Sequence, residues 1–185
     1  MEFQRLRGVR DILPEETPIW QHVESVCRSR FSAYAYSEIR TPIIESASLF
    51  QRSLGEGSDV VRKEMYQFQD KGEREITLRP EGTAGVVRAL IEAGVANRQM
   101  TGVAKVYYMG SMYRYDRPQA GRYREFYQAG VEALGSESPA LDVEVILLAL
   151  DIFEKLELKD LSVAINSIGC RTCRPAYVHA LDEFL

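Results

Sequence analysis

Hydrophobic residues recur at Trp20, Val23, Cys27 and Phe31, spaced i, i+3, i+7, i+11 as on one face of an α-helix. Thr17 and Pro18 supply an N-cap and a first-turn proline for that helix, which is expected to end near Tyr36. A short strand through Ile39 follows and is closed by Pro42. Stretches 64–69 and 75–79 flank Asp70-Lys71-Gly72-Glu73, which reads as a hairpin turn. Pro80 marks the start of a second helix through Val86, Val87, Leu90 and Ile91.

The second half alternates in the same way. Stretch 103–109 is rich in β-formers, and 113–116 and 124–133 read as strands joined by a loop with Pro118 and Gly121. Pro139 opens a strongly apolar helix to about Leu156, with Val143, Val145, Ile146, Leu147, Leu148 and Leu150 taken as core. A strand is expected at 161–166 and a helix from about Cys173 onward. Helices therefore alternate with hairpins, which predicts an α+β fold with an antiparallel β-sheet flanked by helices. Leu181, Phe184 and Leu185 are still on helical period at the last residue, so the pattern predicts a chain that continues.

Composition excludes several classes. With 185 residues, 45% hydrophobic and 27% charged, the chain has ordinary globular makeup and is not of the disordered type. Acidic residues outnumber basic ones 27 to 23, which rules out a generally basic nucleic-acid coat but not a local basic patch. The longest apolar run, 145–150, is far short of the roughly 20 residues of a membrane span. Met1-Glu2-Phe3-Gln4-Arg5 has no apolar signal region, so a cytoplasmic protein without a membrane partner is expected. Three cysteines make no disulfide framework. Cys170 and Cys173 form a single C-x-x-C pair, insufficient alone for a four-ligand zinc site, and they are read as buried or free thiols with no metal.

One segment carries a concentrated signal. Arg114, Arg117, Arg122 and Arg124 stand within eleven residues against one acid, Asp116. Arginine forks suit phosphate oxygens, although a solvated hairpin tip has the same composition. Strand alternation puts Arg124, Phe126, Gln128, Gly130 and Glu132 on one face and Glu125, Tyr127, Ala129 and Val131 on the other. The first row is a poor core and a good ligand floor: Arg124 to meet phosphate, Phe126 to stack on a base, Gly130 to leave room, Gln128 and Glu132 to bond a polar or cationic group. A solvent-facing polar sheet is the alternative. Met112, Arg114 and Asp116 share a face of the preceding strand and can adjoin the same floor. In Arg79-Pro80-Glu81-Gly82-Thr83, Glu81 suits a first helical turn and Thr83 a cap. If that turn borders the floor, both become recognition groups for an ammonium.

The run from Tyr113 to Gln128, YRYDRPQAGRYREFYQ, resembles motif 2 of class II aminoacyl-tRNA synthetases in its histidyl form. Gly8-Val9-Arg10-Asp11-Ile12-Leu13-Pro14 resembles the N-terminal arm of the histidyl-tRNA synthetase family. The helix and strand ending at Thr41-Pro42 resemble motif 1, the family's dimer element, and Leu78-Arg79-Pro80-Glu81-Gly82-Thr83 resembles its amino-acid-binding segment. The resemblance implies a class II catalytic fold, with residues 1–185 its N-terminal part, and motif 3 and an anticodon-binding domain absent. It implies ATP as substrate with Mg²⁺, L-histidine and tRNA(His) as partners, and a homodimer. Carried over by position, Arg114 would be catalytic, holding the α-phosphate and the histidine carboxylate. Asp116, Arg122, Tyr123 and Phe126 would join it at ATP. Glu81, Gly82, Thr83, Gln128 and Glu132, with Arg114, would bind histidine. The fragment is expected to be weakly active or inactive alone. A regulatory subunit of ATP phosphoribosyltransferase with the same fold is the alternative, and a class II synthetase for another amino acid a third reading. No P-loop G-x-x-x-x-G-K-[ST] occurs.

Overall fold

The computed structural model describes residues 3–55, 57–94, 102–166, 169–170 and 172–184. Its elements run α1 (Thr17–Ala33), β1 (Ser37–Glu38), β2 (Ile44–Ser46), α2 (Ala47–Leu54), a π-turn (Val60–Glu64), β3 (Tyr66–Gln69), β4 (Glu75–Leu78), α3 (Thr83–Glu92), β5 (Ala104–Tyr113), β6 (Glu125–Leu134), α4 (Pro139–Lys155) and α5 (Arg174–Phe184). They form two three-stranded sheets, ordered β1-β5-β6 and β2-β4-β3.

The long β5–β6 hairpin is antiparallel over ten residue pairs, from Ala104↔Leu134 to Tyr113↔Glu125. The expected antiparallel sheet is thus present, with one exception: β1 pairs with β5 in parallel, Ser37 opposite Val106. Residues 104–109 and 113 belong to one continuous strand, with 103 just before it, and 114–116 fall in the loop instead of extending it.

Period-2 alternation along β5 and β6 gives the sheet two differently packed faces. On one, Tyr107 joins Cys27 and Phe31 of α1, Tyr36 and Leu148 of α4 in a buried cluster, with Met109, Val131 and Ala133 packed against it. The Phe31 and Tyr107 rings stack at 4.6 Å. On the other, Tyr108 and Met112 pack with Val86 of α3, alongside Val106, Phe126 and Leu90. Lys105 ties the first layer to α4 by an ion pair of 2.7 Å to Glu144, which also accepts from the Tyr36 hydroxyl at 3.0 Å. Burial and that carboxylate push the Tyr36 phenol up to about 12.

The α1 pattern holds in part: Cys27 and Phe31 are buried, whereas Val23 lies at the rim. Its N-cap position is Glu16, one residue before the expected Thr17, and Ala35 at φ 62° ends it earlier than Tyr36. The Asp70–Glu73 turn forms as read, with the Asp70 carboxylate accepting from the amides of Gly72 and Arg74 at 2.8 and 3.0 Å. The short helix α2, which has no clear period in eight residues, was not anticipated. It buries Ala47 and Phe50 completely.

Two expectations for the C-terminal third fail. Residues 161–166 form no strand, because no partner strand among the described residues lies alongside them, and Leu161, Val163 and Ile165 are exposed. In α4 only Leu148 is buried, while Val143 and Leu147 are about half exposed. The final helix forms from Arg174, with Leu181 and Phe184 exposed; Leu185 lies outside the described residues.

Leu148 is the α4 side chain that closes the first cluster, so Leu148→Ala should destabilise the fold by about 2–5 kcal/mol, measured by denaturant unfolding.

Candidate active site

The two sheets meet at Arg79, the residue after β4. Its amide donates to Ile43 O at 2.9 Å, and its carbonyl accepts from the amide of Tyr113 at the end of β5 at 3.0 Å. Its buried guanidinium donates to Ser111 O (3.0 Å), Thr41 O (2.9 Å) and Thr41 Oγ1 (3.2 Å). Gly110 leaves room for it: a Cβ there would stand 2.7 Å from Arg79 Nη2. This seam delivers Pro80-Glu81-Gly82 onto the face of the β5–β6 hairpin.

Glu81, and not Thr83, caps α3. Its carboxylate accepts from the amides of Thr83 and Ala84 at 2.5 and 2.9 Å, where the helix leaves donors unpaired and favours negative charge. Gln128 Oε1 accepts from the Gly82 amide at 3.1 Å, and Arg114 Nε donates to Pro80 O at 2.8 Å. The Arg114 guanidinium lies 5.2 Å from the Phe126 ring centroid, within cation–π range. Arg114, Phe126, Gln128, Glu132, Glu81, Gly82 and Thr83 are therefore brought together on one half-buried surface. Among the described residues Arg114 has no carboxylate partner, and its Nη groups bond no protein acceptor.

Burial raises the Glu132 carboxyl above its ordinary value, with the Thr83 hydroxyl opposing the shift and the Glu81 charge adding to it. The folded protein thus keeps a proton that the unfolded chain gives up. The associated stability is present below the ordinary 4.5 and is lost as pH rises through the raised value.

Gly130 does not leave an open space. Tyr108, opposite it in register, fills that volume: a Cβ on Gly130 would lie 2.5 Å from Tyr108 Oη, and one on Gly82 would lie 2.1 Å from the same ring. Two glycines thus clear a slot for one aromatic ring, and Tyr108 is a floor residue that sequence reasoning missed. The signal was there, since Val106, Tyr108, Gly110, Met112 and Arg114 alternate with the other face of β5. Dividing 103–116 into two strands concealed it.

The loop residues are placed differently. Asp116 accepts from the Arg117 amide at 2.6 Å and pairs with Arg122 at 3.2 Å. Arg122 and Tyr123 are exposed at the tip, where Gln119 and Arg122 bridge. Among the described residues no hydrogen bond joins Asp116, Arg122 or Tyr123 to the floor. Arg124 is not directed at the floor either. Its Nε donates to Asp116 O at 3.3 Å and its Nη1 to Arg7 O at 3.2 Å, and its guanidinium lies 3.9 Å from the Tyr115 ring centroid. A cavity of about 980 Å³ is lined by the arm, residues 3–11, and by Pro118, Gln119, Ala120, Arg122 and Tyr123 of the loop. A second, of about 390 Å³, lies by Arg10, Trp20, Tyr123 and Phe126. Neither includes Arg114, Gln128 or Glu132.

Cys170 and Cys173 are free and exposed. Hydrogen bonds from the Cys173 and Thr172 amides hold the Cys170 thiol down at about 7. Among the described residues no group of three or more His, Cys, Asp or Glu could hold a metal, and no helix is long and apolar enough to cross a membrane.

The histidyl-tRNA synthetase family model matches residues 8–171. A histidine–tRNA ligase of Limosilactobacillus fermentum is 55% identical over the whole chain, which covers 43% of that protein. The crystal structure of apo S. aureus histidyl-tRNA synthetase superposes with a TM-score of 0.79 at 42% identity, covering 98% of this chain and 42% of that one. A Bacillus halodurans structure described as an ATP phosphoribosyltransferase regulatory subunit/histidyl-tRNA synthetase matches with a TM-score of 0.69 at 25% identity, over 83% and 38%. The architecture is that of class II aminoacyl-tRNA synthetases, present in part. Within that class, the chain belongs to the histidyl-tRNA synthetase family. It spans less than half the length of the relatives it matches.

Glu132→Gln should raise the melting temperature of the unliganded protein at pH 7, with the gain shrinking as pH falls toward 4.5, followed by calorimetry across that range. Gly130→Ala should drive a methyl into Tyr108 and cost about 1–3 kcal/mol, read from chemical denaturation.

Proposed function

We propose that residues 1–185 form the N-terminal part of the catalytic domain of a histidine–tRNA ligase. The enzyme joins L-histidine to ATP as histidyl-adenylate, releases pyrophosphate, and passes the histidyl group to tRNA(His). The observation that carries this reading is Arg114: a half-buried guanidinium, oriented through Nε by Pro80 O and lying on the Phe126 ring, with no acid paired to it among the described residues. A cation so placed suits an anionic ligand that arrives from outside.

On this reading the Arg114 Nη groups hold the α-phosphate and the histidine carboxylate, and adenine stacks on Phe126. Glu81, Thr83 and Gln128 surround the α-ammonium, with the Gly82 amide fixing Gln128. Glu132 accepts from the imidazole, and bound histidine would favour its ionised form against the burial that now opposes it. Asp116, Arg122 and Tyr123 attend the phosphates from the loop.

Little proton chemistry is required. A free amino-acid carboxylate is ionised at neutral pH, its reference pKa being roughly 3.5. One of its oxygens attacks the α-phosphorus as the bond to the β-phosphate oxygen breaks, and the electron pair leaves with pyrophosphate. Rate then comes from in-line alignment and from stabilising charge on the phosphoryl group. Mg²⁺ accompanying ATP would be held mainly by phosphate oxygens and water, as that ion prefers, and would neutralise charge on the triphosphate. Supporting the histidyl over the regulatory reading are the 55% identity to a ligase and the retained row of ligand-suited side chains. A cytoplasmic homodimer, built through the α1–β1 element, completes the proposal.

In the full-length protein, histidine-dependent ATP–pyrophosphate exchange is the deciding measurement. Exchange with a different amino acid, or none, would overturn the assignment. Arg114→Ala should lower the exchange rate by about a thousandfold, as loss of a phosphate-stabilising donor does, while circular dichroism stays unchanged. Glu132→Ala should raise the KM for histidine more than that for ATP.

A further inference from the structure

We infer that the N-terminal arm is a clasp that sets the position of the 114–124 loop, and that Gly8 is its positioning residue. The inference builds on the proposed ATP-facing role of that loop. The arm is anchored at its far end, where Leu13 O accepts from the amides of Glu16 and Thr17 and, at 3.0 Å, from Thr17 Oγ1 at the start of α1. From there it runs back to the hairpin. The Arg124 amide donates to Gly8 O at 2.6 Å, so the arm is hydrogen-bonded to the last residue of the loop.

At Gly8 the chain turns, with the Val9 amide bonded to Leu6 O at 3.3 Å and φ at +90°, a conformation side chains rarely adopt. The approach is also too close for a side chain. A Cβ at Gly8 would stand 2.8 Å from Arg124 Cδ and Cγ and 2.9 Å from Pro118 Cγ. Both limbs of the loop, Pro118 on one side and Arg124 on the other, therefore rest on the same glycine. Arg124 completes the clasp by donating to Arg7 O on the arm and Asp116 O on the loop. Further along, Arg10 lies 5.8 Å from the Tyr123 ring centroid and is ion-paired with Glu16.

The loop needs such a device. Its base is closed by the Arg114 amide on Arg124 O at 2.8 Å and tied to Glu64 O by the Tyr115 amide at 2.6 Å. Its four arginines nevertheless repel one another, and from Asp116 to Tyr123 its own bonds are the Asp116–Arg122 pair, the Asp116–Arg117 contact, the Gln119–Arg122 bridge and the Arg124 bond to Asp116 O. A loop ordered beforehand spares ATP binding the entropy of ordering it. Of the histidine-facing residues, Glu81, Gly82 and Thr83 stand at the start of α3 and Gln128 and Glu132 on β6, while Arg114, which both substrates share, is held at the floor by Pro80 O. Among the described residues none of them bonds the arm, so the clasp should act on ATP more than on histidine.

Gly8→Ala in the full-length protein tests this. The KM for ATP in histidine-dependent exchange should rise about tenfold, the scale on which small misplacements act, with the KM for histidine within twofold of wild type. Tryptic cleavage after Arg122, without ligands, should accelerate about fivefold as the loop opens locally. Unchanged ATP KM with unchanged cleavage would overturn the clasp, as would equal increases in both KM values together with a lowered Tm. Should Gly8→Ala not fold, deletion of residues 1–9 is expected to give the same two signatures, and their absence would equally overturn it. A wild-type protein without histidine-dependent exchange would sink the functional reading while the Arg122 cleavage rate still decides the clasp.

Discussion

A single buried guanidinium, that of Arg79, joins the two sheets and fixes everything built on them. Its side chain bonds only carbonyl and hydroxyl oxygens, and burial makes its charge costly, pulling its pKa down despite the nearby Glu45. A buried cation is tolerated when its donors are satisfied, and here satisfying them dictates the geometry. Thr41, after β1, and Ser111, within β5, must both reach the same fork, while the Arg79 backbone bridges Ile43 and Tyr113. The small sheet can then approach the large hairpin in one register only. Pro80, Glu81 and Gly82 follow with no freedom to wander.

The floor is fastened to the segment that opens α3 through two main-chain atoms, Pro80 O, which accepts from Arg114, and Gly82 N, which donates to Gln128. Each side chain that makes one of these bonds keeps part of its bonding capacity for a guest. Arg114 spends Nε and retains its two terminal nitrogens. Gln128 spends its oxygen and retains its amide nitrogen. The same contacts thus order the site and leave it chemically unfinished, which is the condition for stabilising charge without reorganisation at the moment of reaction.

Alternation along β6 was enough to put Phe126, Gln128, Gly130 and Glu132 on one face and Glu125, Tyr127, Ala129 and Val131 on the other, because the period of a strand is set by its own backbone. The Asp70–Glu73 turn was equally legible, since its chemistry is local. Two kinds of feature were not. One depends on distant partners: α2 is helical because Phe50 finds a buried place, and 161–166 is not a strand because no strand among the described residues lies beside it. The other depends on steric identity: that Gly82 and Gly130 serve one tyrosine ring, or that Gly8 serves Arg124, is invisible until the chain closes on itself. Arg124 shows the limit well: alternation places it in the row, yet it stands just before β6 and bonds Asp116 O and Arg7 O, away from the floor.

The ring of Tyr108, seated between Gly82 and Gly130 and buried against Val86 and Met112, acts as a spacer. It sets how closely the start of α3 can approach β6, and any side chain added at either glycine would have to push the two apart. A separation enforced by carbon against carbon is indifferent to salt and protonation, so this part of the fold keeps its spacing under conditions that weaken the ion pairs around it.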